Sequence, residues 1–303
     1  KPYSNDDNEK EYQKLAKDNM IIIGVSSYLE FPNPVSSPYE NFDENYKKYK
    51  YKERCRAWLH GFRNPGDYFP MNVPKALISE SDFIDCNINK PDNSVEKKYD
   101  FIYICLKQDE KKNTCDDWAT YNKNWTLAKK CLKVMCEKYK LKGLLVGRKD
   151  CEITNLCHKL MDSTNMLKHE ELRRCYQQSK FIFLPNYADA SPRVLSEALA
   201  TNLPALINRN ILGGWKYIND KTGVFFTDEN DIDASINEMN RKLLENKFSP
   251  REEYINNYGP VNSGRRLRDF LYNTFGNEIN IPKHKTDYIT IDYAKTNYAQ
   301  CEL

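Results

Sequence analysis

The sequence has no apolar run long enough to cross a membrane. Its longest runs include residues 20–25 and 181–184, whereas a membrane-spanning helix needs ~18–20 apolar residues. Runs this short fit buried strands instead. No signal peptide is visible, but the first residue is Lys1 rather than Met, so the earlier presence of a leader stays open. We predict no membrane span.

The sequence also lacks a large excess of charge of one sign. The 46 basic and 43 acidic residues leave a net charge of +3, whereas a nucleic-acid-binding surface needs clustered basic side chains. The densest basic stretch, residues 47–56, interleaves lysine and arginine with Tyr49 and Tyr51. We interpret this stretch as a solvated face or as a rim that attracts an anionic substrate. We therefore predict no nucleic-acid partner.

Cysteine occurs at ten positions, but no two of them form a Cys-x-x-Cys pair. Cys105, Cys131 and Cys175 lie in apolar helix or strand patterns, where a free thiol behaves as a small hydrophobic group. We interpret the cysteines as reduced and structural. Because disulfides are rare in the cytosol, this interpretation predicts a cytoplasmic protein.

Two short patterns resemble metal-binding motifs but are incomplete. Cys151-x5-Cys157-His158 is half of a zinc-binding pattern, and the sequence offers no second half. Asp231-Ile-Asp233 matches an Asp-x-Asp metal motif by its letters, but its surroundings predict the start of a helix. We therefore predict that no metal or other cofactor is required.

Residues 181–208 predict a strand, a tight turn, a helix and a second strand. The first strand is the apolar run 181–184, which Pro185 ends. Ser191 is a favourable N-cap, and Pro192 then occupies the first helical position, where no N–H is needed. Apolar residues at 194, 195, 198 and 199 give the helix one buried face.

Polar groups collect where this helix begins. The free amides and partial positive charge of a helix N-terminus favour a phosphate, and Arg193 offers a second phosphate contact. Glu197, four residues further on, lies on the same face and is suited to the vicinal hydroxyls of a ribose. Ser191, Arg193 and Glu197 therefore indicate a nucleotide-sugar site. The alternative is an ordinary amphipathic helix with an exposed Arg193–Glu197 ion pair worth ~0.3–0.5 kcal/mol.

The spacing Asp189-x7-Glu197 resembles the acidic-x7-Glu signature of the retaining GT-B glycosyltransferases, which more often have Glu at the first position. Residues 190–194, Ala-Ser-Pro-Arg-Val, are similar to the exostosin-like branch of these enzymes. The resemblance extends from about residue 98 to residue 269 and implies an α/β, GT-B fold with two Rossmann-like domains facing a cleft. The matching strands are at 101–105, 143–147, 181–184, 203–208 and 221–226, and the matching helices at 125–139 and 170–181.

The resemblance also implies the domains. Residues 1–95 are expected to form an acceptor-side N-terminal domain, with a fully buried first strand at 20–27. Residues 96–250 are expected to bind the nucleotide sugar. Because the region 30–100 is too short for a complete doubly wound domain, we expect a reduced one. Residues 251–303 are expected to supply helices and a tail that pack back on the N-terminal domain.

In this family the first acidic residue contacts the transferred sugar and the second binds the ribose, which implies these roles for Asp189 and Glu197. The family also places an arginine and a lysine, just after the domain's first strand, on the diphosphate. Lys111 matches the lysine, and Lys107 only approximately replaces the arginine. Leu167 matches the position whose backbone meets the base. The alternatives are a solvated charge run at both lysines and an ordinary helix-entry residue at Leu167.

A turn-rich stretch of the N-terminal region, residues 58–67, carries His60 and Asp67. Loops at strand ends hold much of the chemistry of α/β proteins. We predict that His60 contacts the sugar or the donor phosphate. Asp67 would act as the base if the reaction inverts the anomeric centre. The alternative for His60 is a packed histidine without a functional role.

We predict a metal-independent GT-B glycosyltransferase that moves a sugar from a nucleoside-diphosphate sugar, with UDP favoured, to a glycan or glycoprotein acceptor. The acidic-x7-Glu pattern implies retention of configuration, whereas the Ser-Pro-Arg segment implies inversion. The compact N-terminal half and the richness in asparagine, lysine and tyrosine also resemble glycan glycosyltransferases of large DNA viruses. Two alternatives stay open: a nucleotide-sugar epimerase, and a non-catalytic nucleotide-sugar or glycan-binding module.

Overall fold

The structure is a computed structural model that describes residues 6–26, 51–107, 115–279, 287–289 and 291. Two separate parallel sheets organise these residues. The smaller sheet contains three strands and the larger one six, and the chain completes the first before it starts the second. This arrangement is the α/β architecture that the resemblance implied.

The smaller sheet has the strand order β1-β2-β3. Its strands are β1 (Ile23–Ser26), β2 (Ala57–His60) and β3 (Lys75–Ala76), and all pairs are parallel. In β1, half-buried residues alternate with buried ones, so the prediction of a fully buried first strand is wrong. The physical reason is its position, because among the described residues β1 is at the edge of the sheet and has a neighbour on one side only.

The larger sheet has the strand order β6-β5-β4-β7-β8-β9, with every pair parallel. Strands β5 and β8 are buried along their whole length, as are most residues of β4 and β7. This burial is typical of a parallel sheet covered on both faces. The strands are β4 (Tyr99–Ile104), β5 (Gly143–Val146), β6 (Met161–Thr164), β7 (Ser179–Leu184), β8 (Ala205–Asn208) and β9 (Gly223–Phe226).

Helices cover both faces of the larger sheet, and separate hydrophobic clusters fill the two sides. Among the described residues the helices are α1 (Asp6–Lys17), α2 (Tyr51–Arg54), α3 (Trp118–Asn122), α4 (Trp125–Glu137), α5 (Asn155–Leu160), α6 (His169–Gln177), α7 (Arg193–Ala200), α8 (Ile232–Leu244), α9 (Pro250–Asn257) and α10 (Gly259–Phe275). Short 3-10 turns lie at Pro65–Asp67, Glu80–Phe83 and Trp215–Tyr217.

The two sheets are joined by buried contacts. Asp82, in the 3-10 turn after β3, is fully buried. It accepts hydrogen bonds from Tyr217 Oη at 2.5 Å and from Lys216 Nζ at 2.7 Å, on the side of the larger sheet. From the other end of the chain, Leu267 of α10 packs in one cluster with Leu59 of β2. The domain limits proposed from the sequence stay predictions.

Disulfides contradict the prediction of reduced cysteines. Cys115 is bonded to Cys151, and Cys136 to Cys157, and Cys86 is also disulfide-bonded. The paired Cα atoms lie 5.6 and 5.3 Å apart although the residues are 36 and 21 positions apart in sequence. The fold therefore creates pairs that sequence spacing did not indicate, and the argument for a cytoplasmic location is removed.

The same disulfides bear on the metal patterns. Both sulfurs of Cys151-x5-Cys157 are engaged in disulfides, so they cannot serve as thiolate ligands. Asp231 lies at the N-terminal boundary of α8, as predicted. Within the described part of the chain, no group of three or more His, Cys, Asp or Glu side chains is arranged to hold a metal ion.

None of the helices described is both long and apolar enough to cross a membrane.

Candidate active site

Asp189 lies between β7 and α7, at the carboxyl edge of the larger sheet, and its side chain is buried. Lys123 Nζ lies 2.5 Å from Asp189 Oδ2, and Asn186 Nδ2 donates to the same oxygen at 3.0 Å. Both partners engage Oδ2, and no described residue hydrogen bonds to Oδ1. The carboxylate is therefore paired and held through one of its two oxygens.

The ion pair is part of a continuous contact between two backbone segments. The N–H of Tyr187 donates to the Asn122 carbonyl oxygen at 3.1 Å. The Asn122 side-chain amide donates to the Ala188 carbonyl oxygen at 2.9 Å. Residues 121–123 therefore run alongside residues 187–189, with Lys123 opposite Asp189. This pairing positions the ammonium group through the main chain.

Lys123 is a candidate site residue that was not predicted from the sequence. It follows α3, and Asn124 after it adopts a left-handed conformation with φ of 52°. Asparagine tolerates this conformation better than most residues, so the Lys-Asn pair makes the turn into α4. The signal available in the sequence was a lysine shortly before the helix predicted at 125–139. The family resemblance instead directed attention to lysines just after the strand at 101–105.

A second missed residue, Arg148, is fully buried behind this segment. Its Nη2 donates to Asp117 Oδ1 at 2.9 Å, and its Nη1 donates to the Cys115 carbonyl oxygen at 3.0 Å. Asp117 in turn caps α3, because its side chain accepts from the Thr120 N–H at 2.9 Å. Arg148 thus holds the start of the helix whose end presents Lys123.

Glu197 lies one turn into α7 and is buried. Its Oε2 accepts from Tyr176 Oη at 3.0 Å, and its Oε1 lies 4.0 Å from His169 Nδ1. Burial raises the pKa of Glu197, and the Tyr176 hydrogen bond opposes that shift. Because Arg193 is exposed and makes no ion pair with Glu197 among the described contacts, the alternative of an exposed Arg193–Glu197 pair is wrong.

Ser191 does not cap α7, and its predicted contact with the donor stays a prediction. Helix α7 begins at Arg193, the capping position is Pro192, and no side chain caps it. Ser191 Oγ instead lies 2.8 Å from Ser81 Oγ and accepts from the Ser81 N–H at 3.1 Å. This hydroxyl links the turn after β3, which carries Ser81, to the segment between β7 and α7. The prediction of Ser191 as N-cap is wrong.

The carboxyl ends of the two sheets face each other. Gly61 follows β2, and a Cβ atom at this position would collide with the carbonyl oxygen of Ala190, which follows β7. Only glycine permits this approach. A Cβ atom at Gly213 would collide with the same carbonyl. This contact between Gly61 and Ala190 defines the floor of a cleft between the two sheets. His60 and Asp189 are each one residue away from it.

His60 is buried at the end of β2 rather than in an open loop. Its Nδ1 accepts from the Phe62 N–H at 3.2 Å. Burial, Lys216 and Lys75 lower the pKa of His60 to about 4. The imidazole is therefore neutral at pH 7, and the tautomer carries its proton on Nε2.

The remaining predicted residues lie nearer the surface. Asp67 is exposed in the turn Pro65–Asp67, and Lys107 is half-buried after β4. Leu167 is partly buried against the core, two residues before His169. Lys111 lies outside the described residues. The roles predicted for these residues stay predictions.

Residues 119–260 match the family model described as glycosyl transferases group 1. The match covers just under half of the chain and shows its similarity to these enzymes. This match, which spans Lys123, Asp189 and Glu197, confirms the predicted enzyme class. The retaining or exostosin-like subfamily and the viral source stay predictions. Among curated proteins, no sequence matches this chain.

Solved structures of glycosyltransferases share the fold of this chain. Sucrose-phosphate synthase from Thermosynechococcus elongatus has a TM-score of 0.65 at 11% identity, over 88% of this chain and 71% of that chain. HepE from Anabaena in complex with UDP has a TM-score of 0.62 at 10% identity, over 87% and 75%. The pneumococcal O-GlcNAc transferase GtfA in complex with UDP and GlcNAc has a TM-score of 0.57 at 12% identity, over 88% and 54%. The predicted GT-B architecture is confirmed.

Proposed function

We propose that the protein transfers a sugar from a UDP-sugar to a hydroxyl group of a glycan, without a bound metal. The observation that carries the proposal is the Lys123–Asp189 pair at the N-terminal end of α7, with Glu197 one turn into the same helix. The ammonium group of Lys123 and the N-terminus of α7 are suited to a diphosphate. The buried carboxylate of Glu197 is suited to a ribose. UDP is favoured because HepE and GtfA, which share the fold, bind UDP.

The donor diphosphate is proposed to lie at the start of α7. The first amides of a helix have no partner within the helix, and its dipole favours an anion. Lys123, held 2.5 Å from Asp189, places an ammonium group close to this end. Arg193, exposed in the first turn, and the predicted Lys107 and Lys111 would add further charge. Stabilising the leaving diphosphate in this way is electrostatic catalysis by preorganised groups.

Asp189 and Glu197 are proposed to bind hydroxyl groups. Oδ1 of Asp189, which does not engage Lys123 or Asn186, is suited to a hydroxyl of the transferred sugar. Glu197, fixed by Tyr176, is suited to the ribose, and Leu167 is proposed to border the base. A site built to hydrogen-bond a hydroxyl discriminates strongly against ligands that lack it, because its buried polar groups are then unpaired.

The groups across the cleft are proposed to act on the sugar and the acceptor. Neutral His60 has a proton on Nε2 and donates it as a hydrogen bond to the sugar or the donor phosphate. Asp67 is the proposed base for an inverting reaction. Retention would instead leave Asp67 without an acid–base role, so the anomeric configuration of the product decides between these mechanisms.

A donor panel tests the proposal. UDP- and GDP-sugars are incubated with the protein, with EDTA and separately with Mg²⁺, and release of the nucleoside diphosphate is measured. We expect hydrolysis of a UDP-sugar in EDTA, and its loss in Glu197→Ala. Leu244→Ala, an exposed position at the end of α8, is the matched control. Binding of UDP without turnover of any donor would favour the non-catalytic module instead.

A further inference from the structure

We propose that Tyr68, Tyr121 and Tyr187 form an aromatic shelf that binds a pyranose ring of the acceptor. This inference deepens the proposed function and rests on it. The shelf is defined by these three side chains, which collect beside the Lys123–Asp189 pair from three separate parts of the chain.

Tyr187 is the exposed centre of the shelf. Its side chain is 46% exposed, whereas Asp189, two residues later, is buried. The main chain of Tyr187 is fixed on both sides, because its N–H donates to the Asn122 carbonyl oxygen at 3.1 Å and its own carbonyl accepts from the Leu212 N–H at 2.9 Å. A large ring is thus held open to solvent on a rigid segment next to the proposed transfer centre.

Tyr121 supports Tyr187 from the side. The ring centroids lie 6.3 Å apart with an interplanar angle of 72°, which is a favourable edge-to-face geometry. Tyr121 belongs to α3 and precedes Lys123 by two residues. The backbone pairing that presents the ammonium group therefore also fixes the two rings.

Tyr68 approaches from the other side of the cleft. It stacks on buried Phe62, with centroids 4.0 Å apart and an interplanar angle of 21°. Burial, the neighbouring Asp67 and the Tyr187 phenol raise the pKa of Tyr68. Tyr68 packs on the same hydrophobic cluster as Ala190 and Leu212, and Leu212 hydrogen-bonds to the main chain of Tyr187. The shelf therefore includes groups from both sheets.

The chemistry of the shelf matches a sugar ring. A tyrosine has an apolar ring with a polar hydroxyl at its end. A pyranose has faces of C–H groups and a rim of hydroxyls, so stacking and hydrogen bonding are satisfied together. Such a platform beside a donor site holds an acceptor hydroxyl near the reacting carbon, which is the positioning that accelerates a bimolecular transfer.

Saturation-transfer-difference NMR tests the shelf without relying on activity. The probes are the methyl glycosides of β-glucose, β-galactose, α-mannose and β-xylose, each measured with UDP present. Irradiation of the aromatic protons should label the C–H groups of one pyranose face. We expect Tyr187→Ala to weaken binding of the preferred glycoside about tenfold, and Tyr187→Phe, which keeps the ring, to retain most of it. Leu244→Ala should bind as the wild type does.

Donor hydrolysis in the same variants separates this inference from the proposed function. Tyr187→Ala should keep UDP affinity and donor hydrolysis while it loses glycoside binding. Equal glycoside binding by wild type and Tyr187→Ala would overturn the shelf, and so would a wild type that binds no glycoside or that glycosylates a Ser/Thr peptide instead. Tyr187-dependent glycoside binding without any donor turnover would overturn the proposed transferase and leave the shelf as a glycan site.

Discussion

Lys123 Nζ lies 2.5 Å from Asp189 Oδ2, although the two residues are 66 positions apart in sequence. The pair joins the turn between α3 and α4 to the turn between β7 and α7. It places one positive and one negative group at the carboxyl edge of the sheet, where ligands of open α/β sheets bind. Because the backbones beside the pair also hydrogen-bond, its geometry is set before any ligand arrives.

Lys123→Ala should reduce donor hydrolysis by about 10²-fold or more, because it removes a preorganised charge from the leaving diphosphate. It also leaves the buried Asp189 carboxylate without its cation, so we expect a loss of roughly 1–3 kcal/mol in the free energy of unfolding. Steady-state kinetics and urea unfolding measure the two effects. Lys149→Ala, at an exposed lysine, is the control. Unchanged kcat/KM in Lys123→Ala would contradict the proposed role.

The strands and helices of the larger sheet could be predicted because each has a local signal. The runs at 101–105, 143–147 and 181–184 are apolar and short, and the structure has strands at Tyr99–Ile104, Gly143–Val146 and Ser179–Leu184. The helix predicted at 125–139 is found at Trp125–Glu137. Burial of both sheet faces produces these patterns directly, which is why the fold class was accessible from the sequence.

The position of Lys123 could not be predicted in the same way. It depends on a contact between Asn122 and residues 187–188, and such pairings leave no periodic pattern. Likewise, nothing local indicates that Arg148 is fully buried among Asp117 and Cys115, or that the Ser191 hydroxyl serves Ser81 rather than α7. In each case a tertiary partner far along the chain overrides the local preference.

UDP affinity should rise with pH through the raised pKa of Glu197. Burial favours the protonated carboxyl in the free protein, whereas ribose hydroxyls bind better to the ionised form. Affinity should therefore be weak near the ordinary pKa of 4.5 and increase above it. Tyr176, His169, Arg193 and Arg173 face this carboxyl and moderate the shift.

Calorimetric titrations of UDP between pH 4.5 and 7.5 measure this dependence. Glu197→Gln cannot ionise, so its affinity should be about tenfold lower at pH 7. UDP also titrates in this range, and the difference between wild type and variant isolates the contribution of Glu197. Parallel profiles for the two proteins would show that Glu197 does not hold the ribose.

His60 should make the protein less stable in mild acid. Its pKa is about 4 in the folded protein and ~6.5 when unfolded. Above pH 6.5 both states are neutral and the contribution is complete. As the pH falls from 6.5 towards 4, only the unfolded state binds the proton, so stability is lost, on the order of 3 kcal/mol in total.

Urea unfolding at pH 7 and pH 5 measures this loss, and the proton signals of the imidazole report the pKa directly. His60→Gln keeps a polar side chain but does not titrate, so its stability should depend less on pH. An imidazole that titrates near 6.5 in the native protein would rule out the buried neutral histidine.

Each of the two described disulfides should stabilise the fold. Cys115–Cys151 and Cys136–Cys157 close loops of 36 and 21 residues, and a cross-link of this length stabilises a fold by about 3–4 kcal/mol in the chain-entropy model. Replacing either pair by serine should therefore lower the free energy of unfolding by a similar amount. Urea unfolding of each double variant, with the wild type with and without reductant, measures it.

Only the first disulfide adjoins the segment that positions Lys123. Cys115 precedes α3, and its carbonyl oxygen accepts from Arg148, whereas Cys136–Cys157 joins α4 to α5, away from this segment. Cys115→Ser/Cys151→Ser should therefore also raise the KM for the donor, and Cys136→Ser/Cys157→Ser should not, when both are assayed below their unfolding transitions. An equal KM in both variants would mean that Arg148 and the α3 cap hold Lys123 without help from the disulfide.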